Sequence, residues 1–120
     1  MCLFCYSFKA TYYHSKFHGR ITKSGEIYDE NKLVCASNSH PFGTILLITN
    51  LDNNKSVKVK VIDRGSFEKV TLDLSKKAFS KIADLRKGVV EIKIKILKQK
   101  SQKSNKNSYI SSNQIKISYE

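Results

Sequence analysis

Apolar and polar residues alternate with a period of two through the middle of this chain. Lys55-Ser56-Val57-Lys58-Val59-Lys60-Val61-Ile62 sets Val57, Val59 and Val61 on one face and lysines on the other, the pattern of a half-buried strand. Gly43 to Asn50 is a β-branched and leucine-rich run bounded by Gly and Asn. Between the two lies Leu51-Asp52-Asn53-Asn54, whose turn chemistry predicts a β-hairpin. Gly88 to Leu97 alternates again, and lysines at its outward positions blunt an exposed edge. One stretch follows the helical period instead. Leu74, Ala78, Phe79 and Ile82 recur at three-to-four spacing after a cap at Asp73 or Ser75. These elements predict a small, mainly-β barrel with one or two short helices.

At 120 residues the chain has room for one domain. Its composition is globular over residues 10–98. Residues 99–120 turn to Gln, Lys, Ser and Asn and read as a solvated, disordered tail, in which Gln114 to Tyr119 alternates weakly enough for one late edge strand at most. Residues 1–9 are apolar and read as the remnant of a signal peptide or lipoprotein signal, the alternative being a hydrophobic first strand. Leu3-Phe4 before Cys5 matches a lipobox poorly, so an N-terminal membrane anchor is an open expectation. No run is long enough to span a bilayer.

The charge narrows the partners. The formal net charge is +12, which favours a polyanion: nucleic acid, anionic lipid or an anionic wall polymer. The basic residues are nearly all lysine; the arginines are Arg20, Arg64 and Arg86. Arginine is the usual reader of base edges, and no ordered aromatic platform is flanked by basic residues, so nucleic acid is disfavoured. Three cysteines leave at least one unpaired, and Cys2-x-x-Cys5 lacks a second pair or histidines at zinc spacing. Neither a disulfide framework nor a metal or cofactor is expected.

Candidate chemistry sits in three stretches. Tyr13 to Asp29 has loop composition, rich in aromatics, glycine and polar groups, and binding residues concentrate on loops held by a scaffold. Tyr13 and Phe17 can stack on sugar rings; Phe17 and Tyr28 can equally be core plugs. His40-Pro41-Phe42-Gly43-Thr44 punctuates a turn into the hairpin. In Val61-Ile62-Asp63-Arg64-Gly65-Ser66-Phe67 a strand ends in a carboxylate and a guanidinium, with Gly65 permitting a tight turn. Asp63 is there either a turn cap or ion-pair partner of Arg64, or a general acid in a cleft.

Taken in order, these stretches resemble the RlpA-like double-psi β-barrel family from about Ala10 to Leu97. The resemblance is carried by Phe17-His18-Gly19-Arg20-x-Thr22, Gly25-Glu26-x-Tyr28-Asp29, Pro41-Phe42-Gly43-Thr44, Thr49-Asn50, Asp63-Arg64-Gly65-x-Phe67 and Leu72-Asp73-Leu74-Ser75. It implies a six-stranded double-psi barrel in the cell envelope, acting as a monomer. It implies lytic cleavage of the bond between N-acetylmuramic acid and N-acetylglucosamine in peptidoglycan strands, preferably those lacking stem peptides, to leave 1,6-anhydro ends. Asp63 matches the family's key acid and Glu26 a second acid of its groove. Tyr13, Phe17, Thr22, Ser37, His40 and Arg64 are the expected substrate-binding residues. One departure stands out: where the family often has a histidine, this chain has Ser37, with His40 directly before Pro41. The expected mechanism needs a single carboxyl, acid to the leaving oxygen and then base to the sugar's own 6-hydroxyl. Asp63 takes that role if burial or a like charge keeps it protonated, and if Arg64 points away or pairs with an acid such as Asp73; Glu26 is that like charge or the group that stabilises the oxocarbenium-like transition state. The alternative is a non-catalytic, expansin-like module that binds wall glycan.

Overall fold

The structure, a computed structural model, describes residues 8–68 and 71–99. Of residues 1–9, read as a signal remnant, 1–7 lie outside the described residues while Phe8 and Lys9 belong to the first strand; of the tail read over 99–120, residues 100–120 lie outside them. Six strands form: β1 (Phe8–Tyr12), β2 (Val34–Ser37), β3 (Ile45–Asn50), β4 (Ser56–Asp63), β5 (Thr71–Leu74) and β6 (Val90–Lys98). They close into a barrel in the order β1-β5-β2-β4-β3-β6. β1 runs parallel to β5 and β2 parallel to β4, while the other neighbours are antiparallel. These two parallel pairs belong to the crossing halves of a double-psi barrel, the fold class that the resemblance implies.

The alternating segments sit as their pattern predicts. Val57, Val59 and Val61 of β4 point into the barrel with Leu46, Ile48, Leu72, Leu74 and Ile92. β3 and β4 form the predicted hairpin, in which Asn54 adopts φ 61°, a left-handed conformation that Asn tolerates. The helix α1 (Lys76–Ile82) closes one end of the barrel with Ala78, Phe79 and Ile82. Phe79 lies 4.7 Å from the Tyr12 ring, centroid to centroid. Asn50 ties this end to the hairpin, its Nδ2 donating to the Ile82 carbonyl at 2.8 Å.

Ser75, rather than Asp73, caps α1. Its Oγ accepts from Ala78 N at 3.2 Å and donates to the Lys32 carbonyl at 2.5 Å. Asp73 is thereby free for other work. A second apolar cluster lies outside the barrel wall, where Tyr13, Tyr28, Val34, Ala36 and Ile62 pack together with Phe67 against them. It forms the floor beneath the loops that carry Tyr13 and Asp63.

Register decides which way Asp63 faces. Along the β2–β4 pair, Cys35 lies opposite Val61 but Ala36 lies opposite Asp63, so Ile62 is an extra residue in β4. Such a bulge breaks the strand's alternation. Without it, Asp63 would share the inward face of Val61. With it, Asp63 shares the outer face of Ala36.

Ser75→Ala removes the cap and strands the Lys32 carbonyl. We expect a loss of about 1–3 kcal/mol in unfolding free energy by urea titration; an unchanged midpoint would contradict the capping role.

Candidate active site

The bulge assembles a row of side chains across four strands. Thr11 of β1 lies opposite Asp73 of β5, Asp73 opposite Ala36 of β2, and Ala36 opposite Asp63 of β4. Two carboxyls therefore stand on the same face with one small residue between them. Two strand spacings separate their backbones by about 10 Å. Ala36, Asp63 and Asp73 line a groove of about 320 Å³ together with Tyr13, Phe17 and residues 64–67.

The two acids have different surroundings. Asp63 accepts three hydrogen bonds: from Tyr13 Oη at 2.7 Å, from Lys23 N at 2.9 Å and from Arg64 N at 2.9 Å. All three partners are donors, so the carboxyl oxygens of Asp63 act as acceptors and are fixed in place. Asp73 accepts from Thr11 Oγ1 at 2.9 Å. Burial pushes Asp73 up to about 6; the Thr11 hydrogen bond opposes the rise and the charge of Asp63 adds to it. The carboxyl that keeps its proton to higher pH than usual is thus Asp73, which the sequence reading placed only as a cap or as a partner of Arg64. The signal was present in Leu72-Asp73-Leu74, where a carboxylate alternates with two core leucines on a strand.

Tyr13 is itself a support. Only 8% exposed, it stacks on Tyr28 with ring centroids 4.2 Å apart. Burial first, then the hydrogen bond to Asp63, raise its phenol well above the usual range, so it stays a donor. Phe17 offers the open aromatic face: it is 37% exposed and meets Tyr13 edge-on at 6.1 Å. Tyr28 is a core plug, as one of the two readings had it.

Arg64 pairs with neither acid. Its Nη1 donates to the Ser37 carbonyl at 2.9 Å, and its guanidinium carbon lies 4.0 Å from the Phe42 ring centroid. The loop beyond it is clamped by Asn38, whose Nδ2 donates to the carbonyls of Gly65 and Phe67 at 2.8 Å each. Gly65 does not adopt a positive φ. It is needed because the Phe67 ring lies against its Cα, where a Cβ would overlap it.

The remaining expected residues fall elsewhere. Glu26 does not line the groove; it pairs with Lys60 Nζ at 3.0 Å, half exposed. Thr22 is buried, its Oγ1 donating to the Glu26 carbonyl at 2.7 Å. The turn that these two residues build presents Lys23 N to Asp63. Ser37 is wholly buried and its Oγ bonds His40 Nδ1 at 2.9 Å. His40 lies in a separate depression with Phe8, Ile94 and Ile96. Cys35, the cysteine among the described residues, is buried in the core, and burial raises its thiol well above the usual range. No group of three or more His, Cys, Asp or Glu side chains among the described residues is placed to hold a metal ion.

Comparisons with known proteins bear on the family and the fold. A family model described as lytic transglycolase matches residues 7–94. Endolytic peptidoglycan transglycosylase RlpA of Campylobacter jejuni is 39% identical over 99 residues, covering 82% of this chain and 36% of the relative. The chain spans about a third of the length of the curated relatives it matches. Among solved structures, the Streptomyces papain inhibitor superposes with a TM-score of 0.65 at 27% identity, over 78% of this chain and 94% of that one. A mutant Clavibacter michiganensis expansin in complex with cellohexaose gives 0.63 at 22% identity, over 79% of this chain and 51% of the expansin.

The raised Asp73 has a stability consequence. Its folded-state value of about 6 exceeds the ordinary 3.8, so its contribution is full below the ordinary value and is lost as pH rises through about 6. Carbon-detected NMR should show the Asp73 carboxyl titrating near pH 6, and still higher in Thr11→Val, which removes the opposing hydrogen bond. Asp73→Asn should flatten the loss of stability across that window. Titration of Asp73 near or below 4 would overturn the assignment.

Proposed function

Because the chain belongs to the lytic transglycolase family, we propose that it cleaves the bond between N-acetylmuramic acid and N-acetylglucosamine in peptidoglycan glycan strands, leaving 1,6-anhydro ends. The observation that carries this reading is the pair Asp63 and Asp73, on one groove face with only Ala36 between them. Burial holds the proton of Asp73 to higher pH, which suits that carboxyl to the acid role.

The chemistry divides between them. Asp73 holds a proton and gives it to the leaving glycosidic oxygen. Asp63, held by three donors, faces the positive charge that develops at the anomeric carbon. The muramic acid 6-hydroxyl then attacks that carbon, and the Asp73 carboxylate takes up the hydroxyl proton. No water enters, so one acid suffices for both proton steps. Sequence reading gave both steps to Asp63, with Glu26 as the like charge; the groove supports Asp73 in the proton role instead. Phe17 supplies an apolar ring for the sugar face.

The site of action is the cell envelope, where peptidoglycan lies, with the chain periplasmic or secreted as a monomer and an N-terminal lipid anchor as its link to membrane. The cationic surface serves the anionic wall rather than nucleic acid. The expansin-like alternative has the shared barrel in its favour, but a likeness at 22% identity speaks for the fold alone.

Peptide-free glycan strands incubated with the purified chain should yield anhydro-ended products, one water lighter than hydrolysed ends by mass spectrometry. Asp63→Asn and Asp73→Asn should each slow their formation by about 100-fold or more. The rate should fall as pH rises through about 6, where Asp73 loses its proton. Binding without anhydro products would return the chain to the wall-binding module, and full activity in Asp73→Asn would remove it as the acid.

A further inference from the structure

We propose that the outer face of β4, β3 and β6 is a second contact with the wall: a docking surface for the carboxylates of stem peptides on strands beside the one being cut. The proposal rests on the wall-cleaving reading and adds a surface on the far side of the barrel from the groove.

Register sets the face. β3 lies between β4 and β6, and its inward residues Leu46 and Ile48 belong to the core with Val57, Val59 and Ile92. The residues that alternate with them face out. Leu47 there lies opposite Lys58 on one side and Lys95 on the other, Ile45 opposite Lys60 and Lys98, and Thr49 opposite Ser56 and Lys93. Two files of lysine thus flank a central strand that carries no charge. The files stand two strand spacings apart, about 10 Å, and lysines two positions apart within a file are separated by about 7 Å.

The charge on this face is unbalanced. Lys58, Lys93, Lys95 and Lys98 are exposed and form no ion pair among the described residues. Lys60 differs, since it pairs with Glu26 at one corner. Glu91 lies further along β6, opposite Lys9 of β1. Like charges gathered on one face repel, so the fold gains nothing from them. A polyanion laid across the face would meet all of them at once.

The position identifies the partner. In the ring of six strands β3 stands three places from β5, which carries Asp73, so the lysine face is turned away from the groove. It does not lengthen the groove's hold on the strand being cut; it meets other material of the same wall. Lysine is a compact charge on a flexible stem, suited to carboxylates without fixed spacing, whereas an arginine fork suits one fixed geometry. Stem peptides supply such carboxylates, held out from the sugar chain on a flexible backbone. A bilayer fits the face less well. The face holds no Trp, Tyr or Phe, the rings that seat at a lipid interface. Ile45 and Leu47 are half-buried between the lysine stems, and the exposed Ile96 and Leu97 lie at one end of β6, so no broad apolar surface is offered to lipid.

The test measures co-sedimentation of the Asp73→Asn chain with purified peptidoglycan sacculi at about 50 mM salt. Converting the peptide carboxylates to methylamides should weaken binding about tenfold, and so should Lys58→Gln, Lys93→Gln and Lys95→Gln combined. The two changes together should cost no more than either alone, and about 0.5 M salt should erase both effects. Unchanged binding by the triple variant would overturn the proposal, as would an equal loss from it on neutralised sacculi. Sacculi stripped of peptides by an amidase should lose the lysine-dependent part of binding; if they keep it, the partner is the glycan's lactyl carboxylates and the proposal fails. Lysine-dependent sedimentation with phosphatidylglycerol vesicles and not with sacculi would likewise overturn it in favour of a bilayer. With Asp73 intact, the triple variant should release anhydro ends from short, soluble, peptide-free glycan at the native rate; a slower release would tie the lysines to the groove and sink the separate face. Lysine-dependent docking by a chain that releases no anhydro ends would support the face while removing the transglycosylase reading.

Discussion

One extra residue in a strand governs the rest of this structure. Ile62 has no place of its own in the β2–β4 ladder, and the residue after it is turned from the barrel interior to the outer face. A shift of one position reverses the facing of every side chain beyond it. Here that reversal moves a carboxylate out of a core of valines and leucines, where it would be costly to bury, and sets it in line with Ala36, Asp73 and Thr11. Ile62 itself is not wasted, since it packs into the outer cluster under Tyr13 and Tyr28. The bulge thus builds the site and its floor together.

That floor explains how two acids on one row come to differ. Tyr13 is held by its stack on Tyr28, and its hydroxyl reaches Asp63. The Gly25-Glu26-x-Tyr28 loop supplies both the ring beneath Tyr13 and the turn that aims Lys23 N at Asp63. Among the described residues Asp73 receives no backbone donor of this kind and meets one hydroxyl, from Thr11. Buried with less help, it keeps its proton to higher pH. The difference between the two carboxyls is therefore a property of the loops around them, and it would persist on the same barrel only with those loops.

The legible part of the fold was the part with one wet face. β4, β6 and α1 each expose alternate or periodic polar residues, and their patterns located them, while β3 was read from its β-branched run between Gly43 and Asn50. β2 is buried at all of its positions, Val34 to Ser37, so it carries no alternation to read. β1 and β5 are short and hold hydrogen-bonding residues, Thr11 and Asp73, that look like loop or cap chemistry in isolation. Asp73 was passed over for that reason, because Ser75 two positions on was an equally good cap. The bulge left no trace either, since Ile62 continues an apolar run after Val61. Glu26 looked like a groove acid because it belongs to a motif near Asp63, and its pairing with Lys60 depends on a register that sequence spacing does not reveal.

The serine at position 37 has a physical reading in this light. Its side chain is wholly buried and hydrogen-bonded to His40, whose ring sits outside the groove. Burial, and after it the charge of Arg64, lower the affinity of His40 for a proton. Neither residue is placed to move a proton at the sugar. On the proposed reading the groove does not lack a group for that task, because Asp73 stands in it already, half-buried and beside Asp63. What position 37 contributes to the groove is its backbone carbonyl, which holds Arg64. A serine supplies that carbonyl as well as a histidine does, so the exchange leaves both the acid pair and the cation where the barrel puts them.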